Sequence, residues 1–199
     1  MIRLVYKAIW TVCFVIRSKV DTFLFRFLLT ILGVIKGKGI QAYGAIPMLR
    51  INKAAGTIQI GDNCVFNNFN DAGWYSKCSL WVRPHAQIII GEHCGFNGVL
   101  LYAAQRIEIG RHVKVGGGTR IFDSDFHSLN FIERRNTDKG TKTAPVVIGD
   151  DVFIGTNCII CKGVTIGARS IIAAGSVVVK SIPSDEIWGG NPAKFIRKI

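Results

Sequence analysis

Acidic residues are scarce in this chain of 199 residues, which has 13 aspartates and glutamates against 25 lysines and arginines. The formal net charge of +12 predicts an anionic partner, which can be a nucleic acid, a membrane surface or a phosphorylated small molecule. The sequence also lacks a helix-turn-helix, zinc-finger or aromatic RNA-binding signature. We therefore expect no nucleic-acid partner.

Long apolar runs are lacking from the N-terminal segment. Its uncharged runs cover only residues 8–16 and 27–35, short of the roughly 20 apolar residues that a membrane-spanning helix needs. No small-residue cleavage site follows the first run, which argues against a secretory signal peptide. The six cysteines are scattered along the chain, which is typical of reduced thiols in a cytoplasmic protein.

The four histidines are widely spaced, and no two of them lie nearer than eight residues. A zinc site with ligands close in sequence is therefore not expected, and we predict no metal cofactor. Cys158 and Cys161 form a C-x-x-C pair, which in isolation would favour a metal or redox site. Both occupy small-residue positions of a sequence repeat, so we interpret them as packing residues.

That repeat has a strict period of six residues. A branched aliphatic side chain recurs at each step and is nearly always followed by a small residue; the series is Ile148, Ile154, Ile160, Ile166, Ile172 and Val178. Neither an amphipathic helix nor an alternating strand has this period. We expect a coil in which three repeats make one triangular turn and equivalent strands lie about 4.8 Å apart.

The phase of the repeat breaks before residue 148. Ile60 and Ile90 keep phase at thirty residues, but Ile121 and Ile148 are twenty-seven apart, three more than four repeats. An insertion cannot enter the stacked walls of a coil, so it must leave as a loop, and such loops often carry function. The sequence therefore predicts a functional loop over residues 122–145.

One histidine lies in that loop. His127 follows Asp123 and Asp125, and an imidazole near carboxylates suits general-base catalysis, because a carboxylate fixes the tautomer and stabilises the imidazolium. The alternative is a surface histidine in a polar loop.

Residues 1–38 form a basic segment with seven lysines and arginines against Asp21 alone, a net charge of +6. Helical projection predicts that its first turns are amphipathic. Basic residues mixed with aromatic rings suit peripheral contact with an anionic membrane. The alternative is a helix that packs against the coil or a neighbouring subunit.

The run from Pro145 to the C-terminus, and above all its segment GGNPAK, resembles the hexapeptide-repeat acetyltransferases. The resemblance covers roughly residues 57–199 and is greatest to the sugar O-acetyltransferase branch, which includes maltose, galactoside and polysaccharide-cluster enzymes. It implies an all-β fold, a left-handed parallel β-helix, assembled as a homotrimer with acetyl-CoA between adjacent prisms. We then expect a helical segment (1–38), a lead-in (39–56), the β-helix (57–182) and a C-terminal CoA-binding tail (183–199).

The resemblance also implies site residues. His127 matches the family's catalytic base, with Asp123 or Asp125 as its partner, and Asn97 matches an asparagine near the reacting groups. The CoA-contacting positions correspond to Gly155, Thr156 through its backbone amide, Ala174, Val179, Lys180, Lys194 and Arg197. Val179 departs from the family's threonine, which removes a hydroxyl contact. For Lys194 and Arg197 the alternative is a solvated basic tail.

The predicted function is acetyl transfer from acetyl-CoA to a saccharide hydroxyl, by direct attack, in surface polysaccharide biosynthesis. We expect a cytoplasmic protein, with peripheral contact to the inner membrane face through residues 1–38. The open alternatives are N-acetylation of an amino sugar, a non-catalytic scaffold and a zinc-dependent hydratase of the same fold. Arg134 and Arg135 either meet an acidic acceptor or are an exposed pair, and Trp74, Tyr75 and Trp81 either stack on a sugar or cap the prism.

Overall fold

A computed structural model describes residues 2–51, 56–68, 77–137 and 139–199. It contains a long helix, α1 (Ile2–Ile31), a short helix, α2 (Phe131–Asn136), and twenty strands. The strands are β1 (Ile35–Lys36), β2 (Gln41–Tyr43), β3 (Met48–Ile51), β4 (Thr57–Ile60), β5 (Val65–Asn67), β6 (Ser79–Val82), β7 (Gln87–Ile90), β8 (Gly95–Asn97), β9 (Leu100–Ala103), β10 (Arg106–Ile109), β11 (Lys114–Val115), β12 (Arg120–Phe122), β13 (Val146–Ile148), β14 (Phe153–Ile154), β15 (Ile159–Ile160), β16 (Thr165–Ile166), β17 (Ile171–Ile172), β18 (Val177–Val178), β19 (Glu186–Gly189) and β20 (Lys194–Lys198).

The strands form three sheets that the chain visits in turn. Sheet A contains β1, β4, β7, β10, β13 and β16; sheet B contains β2, β5, β8, β11, β14, β17, β19 and β20; and sheet C contains β3, β6, β9, β12, β15 and β18. Neighbouring strands are parallel, except that β19 and β20 form an antiparallel pair. This triangular coil confirms the predicted β-helix fold.

The aliphatic residue of each repeat points into the prism, as the six-residue period predicted. Ile148, Ile154 and Ile160 are all essentially buried, and their small neighbours allow successive turns to approach closely. A methyl group on Gly155, for example, would lie 2.6 Å from the backbone nitrogen of Ala174. The core therefore runs as one column through the prism.

Two long insertions interrupt the coil. In the regular part, paired residues such as Ile148 and Ile166 are eighteen apart. Ile60 pairs directly with Ile90, thirty residues on, so one turn contains twelve extra residues between β5 and β6. Ile121 pairs with Ile160, thirty-nine residues on, because the predicted loop leaves the wall between β12 and β13.

Helix α1 closes the N-terminal end of the prism. Phe25 and Leu29 are fully buried beneath it, and the Phe25 ring meets Phe66 edge-on at 5.3 Å. Strands β1 to β3 already belong to the three sheets, so the coil begins before residue 57, where the sequence pattern placed its start. Within the described part of the chain, no helix combines the length and apolar character needed to cross a bilayer.

All six cysteines are free thiols, as predicted for reduced cysteines. Cys158 is fully buried in the core, and Cys161 is half-buried on the wall of sheet C. Burial raises the pKa of both thiols, which keeps them protonated near neutral pH and opposes a redox or metal-binding role. Their placement supports the interpretation as packing residues.

Candidate active site

The loop of residues 123–145 is anchored at its base by Asp123. This carboxylate is fully buried and accepts hydrogen bonds from the backbone N–H groups of Ala104, Gln105 and Arg106, at 2.6–2.7 Å. Its own backbone carbonyl accepts a bond from the N–H of Ala144, where the chain returns to the prism. Asp123 therefore joins both ends of the loop to the preceding turn of the coil.

Phe126 fixes the position of the next part of the loop. Its backbone has φ of +63°, a left-handed conformation that is unusual for an aromatic residue. The ring folds back onto the outer face of sheet C, 4.6 Å from the ring of Tyr102 and 5.2 Å from that of Phe122. These two ring contacts hold the loop against sheet C at the residue that precedes His127.

His127 is exposed in the single chain, and its backbone N–H donates to the carbonyl of Asp125 at 2.7 Å. The Asp125 carboxylate forms an ion pair with Lys162 at 3.1 Å through Oδ1. Its Oδ2 atom is buried and has no hydrogen-bond partner among the described residues. Asp125, two residues from His127 in the sequence, thus has one carboxylate oxygen without a partner among the described residues. Both carboxylate oxygens of Asp123, in contrast, accept hydrogen bonds from backbone N–H groups.

A second group of candidate residues lies along one edge of the prism, where each strand of sheet B gives way to sheet C. We call this the BC edge; it carries Asn97, Thr156, Ala174 and, at the end of the hairpin β19–β20, Lys194. Asn97 is exposed, and its Oδ1 accepts a 2.6 Å bond from Nδ2 of Asn67 one strand away. The residues follow one another along the prism axis, as an extended ligand would require.

Thr156 presents a backbone donor on this edge. Its carbonyl accepts from the N–H of Gly175, but its own N–H makes no hydrogen bond within the described residues. Gly155 beside it is buried and leaves no side chain over the adjacent turn. A free amide at such a position is suited to stabilise a negative charge that develops on a bound carbonyl oxygen.

The remaining candidates lie elsewhere. Val179 and Lys180 follow a strand of sheet C and lie, exposed, on the edge between sheets C and A, the CA edge, from which the His127 loop also leaves. Arg197 lies on β20, inward from the BC edge, opposite Ile187. The structure therefore places Asn97, Thr156, Ala174 and Lys194 along one edge of the prism, but not the full predicted set.

The BC edge and the CA edge lie on opposite sides of sheet C. The strand between them, β9 in the turn that contains Asn97, spans roughly 10 Å at about 3.3 Å per residue. One chain thus carries two groups of candidate residues, which we call half-sites: the His127 loop on the CA edge, and the row of Asn97, Thr156, Ala174 and Lys194 on the BC edge.

Other predicted contacts have structural roles. The Arg134 guanidinium donates to the carbonyl of Ser128 at 2.8 Å and so braces the loop, and Arg135 lies over the Phe131 ring. Trp81 stacks beneath Arg50 and meets the ring of Tyr102 edge-on. Trp74 and Tyr75 lie outside the described residues.

Sequence reasoning did not single out Asn67, Lys162 or Phe126. Asn67 had a detectable signal, since it occupies the position equivalent to Asn97 thirty residues earlier. Lys162 and Phe126 had none, because Asp125 and Tyr102, with which they interact, lie in other turns of the coil. Within the described residues, no group of three histidine, cysteine, aspartate or glutamate side chains is placed to hold a metal ion.

Comparisons with known proteins agree with this architecture. The family model described as bacterial transferase hexapeptide (six repeats) matches residues 145–180. The chain is 32% identical to a hexapeptide-repeat-containing acetyltransferase from Vibrio cholerae O1 biovar eltor, solved in complex with acetyl-CoA; the match covers 80% of this chain and 70% of that one, with a TM-score of 0.52.

Two further likenesses bear on function. A galactoside acetyltransferase solved in complex with coenzyme A is 26% identical over 82% of this chain and 64% of its own, with a TM-score of 0.50. The mitochondrial gamma carbonic anhydrase 1 of Arabidopsis thaliana is 33% identical over 154 residues, which are 68% of this chain and 54% of that protein. The chain spans about half the length of the curated relatives that it matches.

Proposed function

The chain belongs to the hexapeptide-repeat acetyltransferase family, and from this premise we propose that it transfers an acetyl group from acetyl-CoA to a hydroxyl of a saccharide. The observation that carries this is that His127 lies exposed on a braced loop, two residues from Asp125, whose Oδ2 atom has no hydrogen-bond partner within the described residues. An imidazole in this position is suited to remove a proton from a hydroxyl.

The proposed reaction is a direct displacement. The imidazole of His127 accepts the hydroxyl proton while the acceptor oxygen bonds to the thioester carbonyl carbon. The Thr156 N–H stabilises the oxyanion that forms, the carbon–sulfur bond then breaks, and the imidazolium returns its proton to the departing sulfur. General-base catalysis of this kind contributes about 10²–10⁴ in rate.

Acetyl-CoA is proposed to lie along the BC edge. Asn97 would face the reacting groups, Gly155 and Ala174 would leave room for the pantetheine arm, and Lys194 and Arg197 would meet phosphates of the nucleotide. Lysine and arginine are suited to this because fixed positive charge strengthens a hydrogen bond to phosphate. Val179 and Lys180 would contact the cofactor from the CA edge.

We further propose a homotrimer, because the two half-sites of one chain face away from each other across sheet C. In a cyclic trimer the CA edge of one subunit can meet the BC edge of the next. The His127 loop of one protomer would then complete the site on its neighbour, with Asp125 as a positioning residue for the imidazole.

The test is thiol release from acetyl-CoA with a panel of hydroxy and amino sugars. We expect turnover with a hydroxy sugar and a loss of at least about 100-fold in His127→Ala. His112→Ala is the matched control, since His112 is also exposed but lies between β10 of sheet A and β11 of sheet B, on the edge of the prism that belongs to neither half-site. Turnover that His127→Ala leaves intact would contradict the proposal, and turnover only with amines would replace it by N-acetylation.

A second candidate, zinc-dependent hydration, is favoured by one observation, the likeness to a gamma carbonic anhydrase. Metal analysis of the purified protein, together with a CO₂ hydration assay, separates the two functions. We expect less than stoichiometric zinc and no hydration activity.

The role in polysaccharide biosynthesis and the contact with the inner membrane face are also proposals. Exposed aromatic and aliphatic side chains on α1, including Trp10, Ile16 and Phe23, support the membrane contact. The +6 charge of residues 1–38 adds attraction to anionic lipid.

A further inference from the structure

A groove of about 930 Å³ runs between helix α1 and the outer face of sheet B. On the helix side, its lining residues recur every four positions, so they form one continuous stripe. Phe14, Phe23 and Phe27 contribute apolar surface on the helix side, while Tyr43 and Asn67 line the opposite wall. The volume lies within the range of small-molecule sites, and the mixture of apolar wall and few polar groups is typical of them.

The shape of the groove is held by hydrogen bonds between helix and sheet. The Thr22 hydroxyl donates to the carbonyl of Ala42 at 3.0 Å and accepts from the N–H of the same residue at 3.1 Å. The Arg17 guanidinium donates to the carbonyl of Gly44 at 2.9 Å. Helix α1 is thereby fixed to the edge strand β2, and the groove is preformed.

The groove has a concentration of positive charge. Lys19, Arg26 and Lys36 line it, and neither Lys19 nor Arg26 pairs with a carboxylate within the described residues. The single acid of the segment, Asp21, is buried at the helix–prism interface and lies 3.8 Å from Arg17. The groove therefore combines apolar surface with cations that have no protein counter-charge.

A buried hydroxyl gives a second sign of a missing ligand. Ser18 lines the groove and is only 7% exposed, yet its Oγ atom has no hydrogen-bond partner among the described residues. A buried polar group without a partner destabilises a fold, and a hydrogen bond to a bound ligand would remove this cost.

The groove leads to the proposed catalytic edge. Tyr43, Asn67 and Asn97 are paired in register on three successive strands of sheet B. Steps of about 4.8 Å place Asn97 roughly 10 Å from Tyr43 along the wall. This separation is comparable to one or two sugar units.

We propose that the groove binds an amphiphile with a long hydrocarbon chain and a phosphate headgroup, and thereby holds a lipid-linked saccharide acceptor. The chain lies against Phe14, Phe23 and Phe27, the phosphate meets Lys19 and Arg26, and the sugar extends past Asn67 to Asn97. The delivery of the sugar rests on the proposed acetyl transfer, whereas the binding of the amphiphile does not.

Isothermal titration calorimetry with farnesyl phosphate, below its micelle-forming concentration, tests the groove directly. We expect saturable binding at one site per chain, with binding at least about tenfold weaker for farnesol and for inorganic phosphate. Lys19→Gln/Arg26→Gln should weaken binding at least tenfold. The matched control, Arg3→Gln/Lys38→Gln, removes the same charge from the same segment outside the groove and should change binding less than twofold.

Three outcomes would overturn the proposal. Equal weakening in both double variants would show a general charge effect, and binding to phosphatidylglycerol vesicles without binding to farnesyl phosphate would show a membrane surface instead. Absence of farnesyl phosphate binding, together with dissociation of the oligomer in Phe23→Ser/Phe27→Ser, would show that a second copy of the chain covers the groove. His127→Ala should bind farnesyl phosphate normally, so failure of acetyl transfer remains distinguishable from failure of the groove.

Discussion

Asp123 and Asp125 are only two residues apart, but their carboxylates have different environments. Both oxygens of Asp123 accept buried backbone N–H groups, while Asp125 has one oxygen paired with Lys162 and one unpaired. From sequence alone the two were equivalent partners for His127. The hydrogen bonds identify Asp123 as the loop anchor and leave Asp125 as the proposed positioning residue.

Asp123→Asn should destabilise the protein, because an amide group turns N–H donors toward backbone N–H groups that then lack acceptors. We expect the free energy of unfolding to fall by about 2–4 kcal/mol, measured by urea denaturation. Asp125→Asn serves as the control and should cost less than about 1 kcal/mol. Equal losses in the two variants would contradict the assignment.

Asp125→Asn should instead change catalysis. Loss of the carboxylate charge removes stabilisation of the imidazolium that forms during the reaction, so we expect a roughly tenfold lower kcat with little change in the KM for acetyl-CoA. Asp125→Glu, which keeps a carboxylate, should restore most of the rate, whereas a purely structural effect would not depend on the charge of residue 125.

At the scale of elements, helix α1 has two parts with different surroundings. Its C-terminal half buries Phe25 and Leu29 against the prism, whereas Trp10 and Val12 in the preceding half are exposed. The sequence left membrane contact and packing as alternatives. The structure shows that the helix packs on the prism while still exposing an apolar stripe. A helical projection of the sequence could not show which apolar residues are buried and which are exposed, because this depends on which positions contact the end of the prism.

Phe25→Ala should leave a cavity under the helix, next to the ring of Phe66. We expect a loss of about 3–5 kcal/mol in the free energy of unfolding. Phe23→Ala, two residues away on the exposed side, should cost less than about 1 kcal/mol. A comparable loss in both would indicate that the helix does not cap the prism as described.

The C-terminal hairpin carries the proposed nucleotide contacts. Lys194→Gln and Arg197→Gln should each raise KM for acetyl-CoA by severalfold to about tenfold with little change in kcat, because they bind substrate and transition state equally. Lys198→Gln, on the same exposed strand, is the control and should leave KM unchanged. Steady-state kinetics with varied acetyl-CoA distinguish a binding role from a solvated tail.

At the scale of the whole molecule, the six-residue period predicted the coil, its inward-facing residues and the loop of His127. The period did not reveal the insertion between β5 and β6. Its twelve extra residues equal two repeats, so Ile60 and Ile90 remain in phase. It also could not show that Asn97 and His127 lie on different edges, since this depends on where each insertion leaves the triangle. The proposed CoA contacts came from the resemblance to a family, because periodicity has no information on ligands.

Because the half-sites face apart, two inactive chains should complement each other. Asn97→Ala retains the His127 loop, and His127→Ala retains the BC edge, so a mixed assembly can rebuild a site between one subunit of each kind. Neither variant alone should turn over acetyl-CoA with the acceptor that the wild type uses.

Co-expression of the two variants in equal amounts, followed by the thiol-release assay on the purified mixed oligomer, measures this directly. Random assembly predicts recovery of about one quarter of the wild-type rate, since each site then needs His127 from one variant and Asn97 from the other. A mixed oligomer that stays as inactive as its parents would contradict a site shared between subunits.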